Sequence, residues 1–335
     1  MEQKQNLLEV KQLSTTFQIQ KNLVKAVRGI DIQVKKGEIL SVVGESGSGK
    51  SVLMKSIMGI LPENANIVAK SITFEHMDMQ QLSKEQQRQM RGKEIAMIFQ
   101  DPMTALNPLK TIGQHLCEVL MRHQKMKKTE AIQEAIEALK KVGIPAPEKR
   151  LKQYPHEFSG GMRQRVLIAM ALCCHPKLLI ADEPTTALDV TIQAQILELL
   201  KELQEKEQMS VVLITHDLGV VASLSERIVV MYGGLVMEEG LTDEIFYHPT
   251  HPYTQALLQA IPKPVTGNKE RLEAIPGMAP SLINPPAGCP FAERCRFVTE
   301  RCKEALPTYQ TYSSTQRAMC ISTREELEQR REEGC

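Results

Sequence analysis

Tryptophan is absent from the sequence, and Phe and Tyr together supply only 4% of it. A groove that holds single-stranded nucleic acid by stacking bases on aromatic rings is therefore not expected. No apolar run approaches the ~18 residues needed to cross a bilayer; the longest, residues 166–174, falls far short. The first residues, Met1-Glu2-Gln3-Lys4-Gln5-Asn6, hold no apolar signal core. An excess of one charge is missing too. There are 41 Lys and Arg against 40 Asp and Glu, a formal net charge of +1, which argues against a chain that coats nucleic acid as a polycation. No internal repeat is present. These absences point to a cytosolic chain. In that compartment the eight cysteines are not expected to form structural disulfides.

What is present is an ordinary globular composition, 42% hydrophobic and 24% charged, over 335 residues. That length suits one large domain with an appendage, or two domains. Residues 38–43 are apolar and β-branched and read as a buried strand. Residues 52–58 read as a helix stopped by Gly59 and Pro62. Two further buried strands are expected at residues 178–181 and 211–214, with a helix over 192–203 between them. Strand, helix, strand in this rhythm implies an α/β fold with a parallel sheet. Residues 103–158 differ. Ile132, Ala135, Ile136, Leu139 and Val142 recur at helical spacing, Gly143 and Pro145 end the run, and no strong strand is apparent, so a helical insertion is expected. From about Phe246 the chain becomes proline-rich and carries Cys289, Cys295, Cys302 and Cys320. The charged last residues, 322–335, read as a solvated helix or a frayed tail.

Between the first strand and helix lies Gly44-Glu45-Ser46-Gly47-Ser48-Gly49-Lys50-Ser51. It fits the phosphate-loop pattern G-x-x-x-x-G-K-[ST]. Glycines let successive backbone N–H groups turn inward around phosphate oxygens, and the helix that follows directs its positive end at the same anion. Lys50 can reach the β- and γ-phosphates, and the Ser51 hydroxyl can ligate Mg²⁺. A second element, Leu178-Leu179-Ile180-Ala181-Asp182-Glu183, delivers two carboxylates to the carboxyl end of a strand, where open α/β sheets bind ligands. Asp182 suits the Mg²⁺ surroundings, and Glu183 suits orienting or deprotonating the attacking water.

Phe158-Ser159-Gly160-Gly161-Met162-Arg163-Gln164-Arg165 resembles the signature motif of ATP-binding-cassette (ABC) ATPases, usually Leu-Ser-Gly-Gly-Gln. Gln100 sits where that family has its Q-loop. Ala187-Leu188-Asp189 resembles the D-loop, His216 the switch histidine, and Phe17 the aromatic that stacks on adenine. The resemblance spans residues 7 to about 240. It implies a P-loop NTPase cassette with a parallel-sheet core, an antiparallel β edge and a helical subdomain. The cassette would occupy residues 1–245, with the insertion at about 103–158, followed by a small cysteine- and proline-rich extension over 246–335. It implies that Phe17, Gly44, Glu45, Ser46, Gly47, Ser48, Gly49, Lys50, Ser51 and Asp189 belong to the ATP site. Ser51, Gln100 and Asp182 would surround Mg²⁺, and Glu183, His216 and Gln100 would be catalytic. Ser159, Gly160 and Gly161 would cap the γ-phosphate held by a partner ATPase. The sequence departs from the signature at Phe158, which keeps an apolar anchor, and at Met162, which removes a polar side chain.

The signature variant, together with His248-Pro249-Thr250-His251-Pro252-Tyr253, resembles the oligopeptide and dipeptide importer branch of the family. Taken bare, the second motif is a rigid turn before a helix. The resemblance implies an ATPase at the cytoplasmic face of the membrane. It would dock on two membrane permease subunits, pair with a second related ATPase or with itself, and connect through the complex to an extracytoplasmic peptide-binding protein. No nucleic-acid partner is expected. Nickel or another small solute is the alternative cargo, and a non-transport ABC ATPase the alternative role. Four cysteines so close can hold Zn²⁺ or an iron–sulfur cluster, or stay unliganded. The C-x-x-C spacing usual for zinc is missing, and in the resembling subunits this arrangement goes with a [4Fe-4S] cluster.

Overall fold

The computed structural model describes residues 5–186, 188–261 and 275–332. The chain divides into two compact units that interleave in sequence. One comprises Met1–Leu7, Val34–Ile39 and Glu75–Ile214, the other Leu8–Gln33, Leu40–Phe74 and Thr215–Cys335.

In the first unit the strands Ile95–Ile98, Leu178–Asp182 and Ser210–Thr215 run parallel side by side. The last two are buried along their whole length, which is why they read as unbroken apolar runs rather than alternating ones. Helices Ile112–His123, Lys128–Lys141 and Gly160–Leu172 share one core that includes Leu116, Leu120, Leu139, Val166 and Ile168. The insertion over 103–158 is helical as expected, with no strand among its described residues. Its first long helix begins at a capping box, Thr111 and Gln114 bonding each other's backbone. In Lys128–Lys141 the expected register needs one correction. Ala131 is fully buried and Ile132 is 36% exposed, because the buried stripe is centred on Ala131, Ala135, Ala138 and Val142, with Ile132 at its edge.

In the second unit the long strand Asn6–Ile19 pairs antiparallel with Ala65–Val68 and Ser71–Phe74, and Asn22–Lys35 lies beside it. In another sheet, Ile39–Val43 runs parallel to Arg227–Tyr232, which turns back into Leu235–Leu241. The turn is Gly233-Gly234, with φ of 57° and 78°. This is the two-residue hairpin geometry that needs positive φ at both positions. The extension adds two short strands to this sheet: Arg317–Ala318 pairs with Leu235–Leu241, and Gln310–Thr311 pairs with it in turn. Phe291, Ala292 and Met319 share a core with Tyr232, Ile245 and Tyr253. The extension is thus packed into this unit and does not hang from it. Of the two readings of the tail, the helix is the one found, over Arg324–Glu332, with Leu327 only 2% exposed.

Candidate functional site

The fully buried strand Ile39–Val43 leads into the phosphate loop, and helix Lys50–Met58 leads out of it. Gly44 has φ +146°, and a Cβ there would lie 2.1 Å from the Met231 carbonyl oxygen. Gly49 has φ +101°, and its Cβ would meet the Ala26 carbonyl oxygen at 2.4 Å. Lys50 is buried, and its ammonium donates to the Gly44 and Glu45 carbonyls at 2.7 and 2.9 Å and to Ser48 Oγ at 3.5 Å. A buried cation is thus fixed against the loop backbone. Gly49 offers no side-chain cap to the helix, so the first-turn N–H groups have no competing carboxylate or hydroxyl at that position. Phe17, on Asn6–Ile19, is half-buried.

The second unit also holds His216, exposed directly after the strand Ser210–Thr215. The first unit holds Gln100, Asp182, Glu183, Ser159, Gly160, Gly161 and Asp189. Asp182 is fully buried at the end of its strand. Glu183 follows with φ 47°, a left-handed conformation that non-glycine residues seldom adopt and that clusters at functional sites. Its amide donates to the Ile214 carbonyl at 2.9 Å. Its Oε2 accepts from Gln100 Nε2 at 2.8 Å and from Thr186 Oγ1 at 2.9 Å. Two residues singled out from the sequence, Gln100 and Glu183, are therefore in direct contact. Thr186 joins them without having been identified, since a lone Thr three residues on carries no sequence signal.

Ser159 caps helix Gly160–Leu172, its Oγ accepting from the Met162 amide at 3.4 Å, which leaves the hydroxyl proton to donate elsewhere. A Cβ on Gly161 would lie 2.7 Å from Ile192 Cγ2, so glycine lets the signature helix approach Val190–Glu207. Met162, where the signature usually has Gln, packs its side chain against the core of this unit. Asp189 caps Val190–Glu207, its carboxylate accepting from the Ile192 amide at 3.0 Å. Ala187 lies outside the described residues.

The His-Pro motif forms the turn expected of it. The Glu238 carboxylate is fully buried and accepts from the Thr250 amide, Thr250 Oγ1, the His251 amide and Gln316 Nε2, at 2.7 to 3.0 Å. His251 Nδ1 then accepts from the Tyr253 amide at 3.0 Å and caps helix Pro252–Gln259. Burial holds the His251 imidazole down at about 3. Tyr253 Oη accepts from the Glu45 amide at 2.9 Å.

Cys289, Cys295, Cys302 and Cys320 line one cavity of about 20 Å³, with His251 and Leu327 among its walls. None is in a disulfide. Burial, with the neighbouring thiols adding to it, pushes Cys289 and Cys320 up to about 12. Among the described residues no three His, Cys, Asp or Glu side chains are arranged to hold a metal ion. The four cysteines thus line a common cavity without forming a ligand cage in this geometry. Cys117, Cys173 and Cys174 are buried elsewhere. No helix among the described residues is long and apolar enough to cross a membrane.

Residues 27–186 match the family model "ABC transporter", and residues 237–302 match "Oligopeptide/dipeptide transporter, C-terminal region". The chain is 55% identical to the oligopeptide transport ATP-binding protein OppD of Bacillus subtilis, over 87% of this chain and 82% of that protein. It is 51% identical to the dipeptide transport ATP-binding protein DppD of the same organism, over 94% of each. Among solved structures, it resembles the dimeric post-hydrolysis state of the ATP-binding cassette MJ0796 bound to ADP and Pi. That likeness has a TM-score of 0.62 at 29% identity and covers 70% of this chain and 98% of that one. The chain belongs to the ABC transporter ATPases, in the group that carries the oligopeptide/dipeptide transporter C-terminal region.

Proposed function

We propose that the chain is the ATP-hydrolysing subunit of a multi-subunit importer of di- or oligopeptides. The observation that carries the cargo is the similarity over 94% of each chain to a dipeptide transport ATP-binding protein, joined to the matched C-terminal region. The observation that supports hydrolysis is Glu183, held by Gln100 and Thr186 at the end of a buried strand. In this reading Gly44, Glu45, Ser46, Gly47, Ser48, Gly49, Lys50 and Ser51 enclose the phosphates and Phe17 stacks on the adenine. Ser51, Gln100 and Asp182 supply oxygen donors to Mg²⁺, a hard cation, which neutralises phosphate charge when bound. Glu183 orients and deprotonates the attacking water, Gln100 fixes the Glu183 carboxylate, and His216 senses the γ-phosphate. Ser159, Gly160, Gly161 and Asp189 face the nucleotide of a partner ATPase, either a second copy or a related chain.

The cassette, residues 1–245, converts ATP binding into dimer closure, and the insertion passes it to two permeases. The complex sits peripherally on the cytoplasmic face, with an extracytoplasmic peptide-binding protein delivering cargo. In the extension, residues 246–335, Cys289, Cys295, Cys302 and Cys320 hold an iron–sulfur cluster. Supporting this are the all-thiol donor set and the shared cavity; the thiols would have to ionise and close on the metal. The cluster's contribution would be a structural staple.

The test is uptake of labelled dipeptide and tetrapeptide by cells expressing the chain with its permeases. Uptake should vanish with Lys50→Ala, and retained peptide uptake alongside lost nickel uptake would overturn the cargo. Protein purified without oxygen should be brown, with iron and acid-labile sulfide. Colourless protein with stoichiometric zinc would replace the cluster.

A further inference from the structure

We infer that Arg294, in the extension, is a positioning residue of the phosphate loop: it neutralises and fixes the Glu45 carboxylate, so that the loop can accept the charge of ATP. This rests on the reading of residues 44–51 as the ATP-phosphate cradle and adds a role for the extension at that cradle.

Glu45 is the second residue of the loop, and each of its polar groups is held. Its carbonyl accepts from Lys50 at 2.9 Å, and its amide donates to Tyr253 Oη at 2.9 Å. Its carboxylate is gripped by Arg294 in a two-pronged pair at 2.7 and 3.0 Å. The Arg294 side chain is only 6% exposed. Its remaining N–H groups donate to Tyr232 Oη at 2.8 Å, to the Pro276 carbonyl at 2.8 Å and to the Ile275 carbonyl at 3.2 Å. All five guanidinium donors are thereby used, and the plane stacks on Tyr232 and Phe291 with centroid distances of 5.6 and 6.0 Å. Such a group has one available position, and the planar fork matches a carboxylate as an ammonium cannot.

The charge argument makes this more than a tether. A carboxylate in an anion cradle opposes a polyphosphate, and in partly buried surroundings that repulsion is poorly screened. Arg294 cancels it at contact distance. The pair with Glu45, the largest cause, raises the guanidinium's proton affinity, so it stays charged. Ala279, Pro280 and Leu282, also from the extension, line a small cavity with Glu45, Ser46, Gly47 and Ser48. The extension therefore touches the phosphate loop through several residues, of which Arg294 is the charged one.

The experiment measures binding of a fluorescent ATP analogue to the full chain, the melting temperature, and the KM for ATP against kcat in the assembled transporter. Arg294→Met is expected to weaken binding about tenfold and to raise KM similarly, with kcat within about twofold. Adding Glu45→Gln to Arg294→Met should recover about fivefold of that loss, because the uncompensated charge is gone. Arg294→Lys keeps the charge but not the fork and should lose about threefold; it carries the test if the Met variant does not fold. Binding of either single variant indistinguishable from wild type would overturn the proposal, leaving a tether. A double variant as weak as Arg294→Met would overturn the electrostatic cause. Lys50→Ala binding ATP normally would instead refute the cradle itself.

Discussion

Replacing Glu238 by alanine should destabilise the second unit about as much as truncating a large core side chain. The carboxylate is fully buried and accepts four hydrogen bonds, two from the Thr250 and His251 amides and two from Thr250 Oγ1 and Gln316 Nε2. Alanine would leave the Thr250 and His251 amides and Thr250 Oγ1 buried without that acceptor, and Gln316 Nε2 with only the His248 carbonyl at 2.9 Å. Each such donor costs about 1–3 kcal/mol, offset in part because the charged carboxylate was itself expensive to bury. A net loss of about 4 kcal/mol is expected, near the top of the range for single substitutions. If the 335-residue chain unfolds as one, this lowers the melting temperature by about 6 °C, and by about twice that if the second unit unfolds alone. Calorimetry of the full chain measures the shift, and limited proteolysis should show earlier cleavage after residue 240. A fall of less than about 2 °C with unchanged proteolysis would refute the idea that this carboxylate organises the His-Pro turn.

Three other outcomes are expected. Gly44→Ala should abolish ATP binding, because its Cβ would meet the Met231 carbonyl at 2.1 Å, whereas Gly47→Ala meets nothing within 4 Å and should cost only about 1 kcal/mol of backbone strain; equal effects would contradict the loop geometry. Melting temperature should fall as pH drops from about 6.5 toward 4. The unfolded His251 takes up a proton that the buried one, held at about 3, refuses, so its contribution is present above 6.5 and lost below; His251→Asn should flatten that slope. In metal-free protein, Cys289 and Cys320, pushed up to about 12, should resist iodoacetamide at pH 8, and mass spectrometry showing alkylation there at the rate of a free thiol would contradict their raised proton affinity.

Much of the candidate site is legible in the sequence because its residues act through local backbone. Residues 44–51, the acidic end of Leu178–Asp182 and the cap at Ser159 are each read within a few positions. What escaped depends on partners distant in the chain. Arg294 meets Glu45 across 249 residues, and Gln316 meets Glu238 across 78. No spacing rule reaches so far. The strand Ile95–Ile98 was hidden by its four-residue length, and Asn6–Ile19 by an irregular burial pattern along a partly exposed strand. Ile132 misled because apolar character was equated with burial, while the smaller Ala131 takes the inward place. Sequence spacing left open whether the four cysteines hold a metal, and the cavity they line shows no ligand cage among the described residues.

The most direct measurement is ATP turnover by Glu183→Gln in the assembled transporter, with nucleotide content and dimerisation read in the same sample. Gln keeps the side chain's shape but removes the base. Hydrolysis and peptide uptake should fall at least about a hundredfold, with ATP retained and the closed dimer accumulating. Turnover at the wild-type rate would contradict the assignment of Glu183, and with it the hydrolytic site built around Gln100 and Thr186.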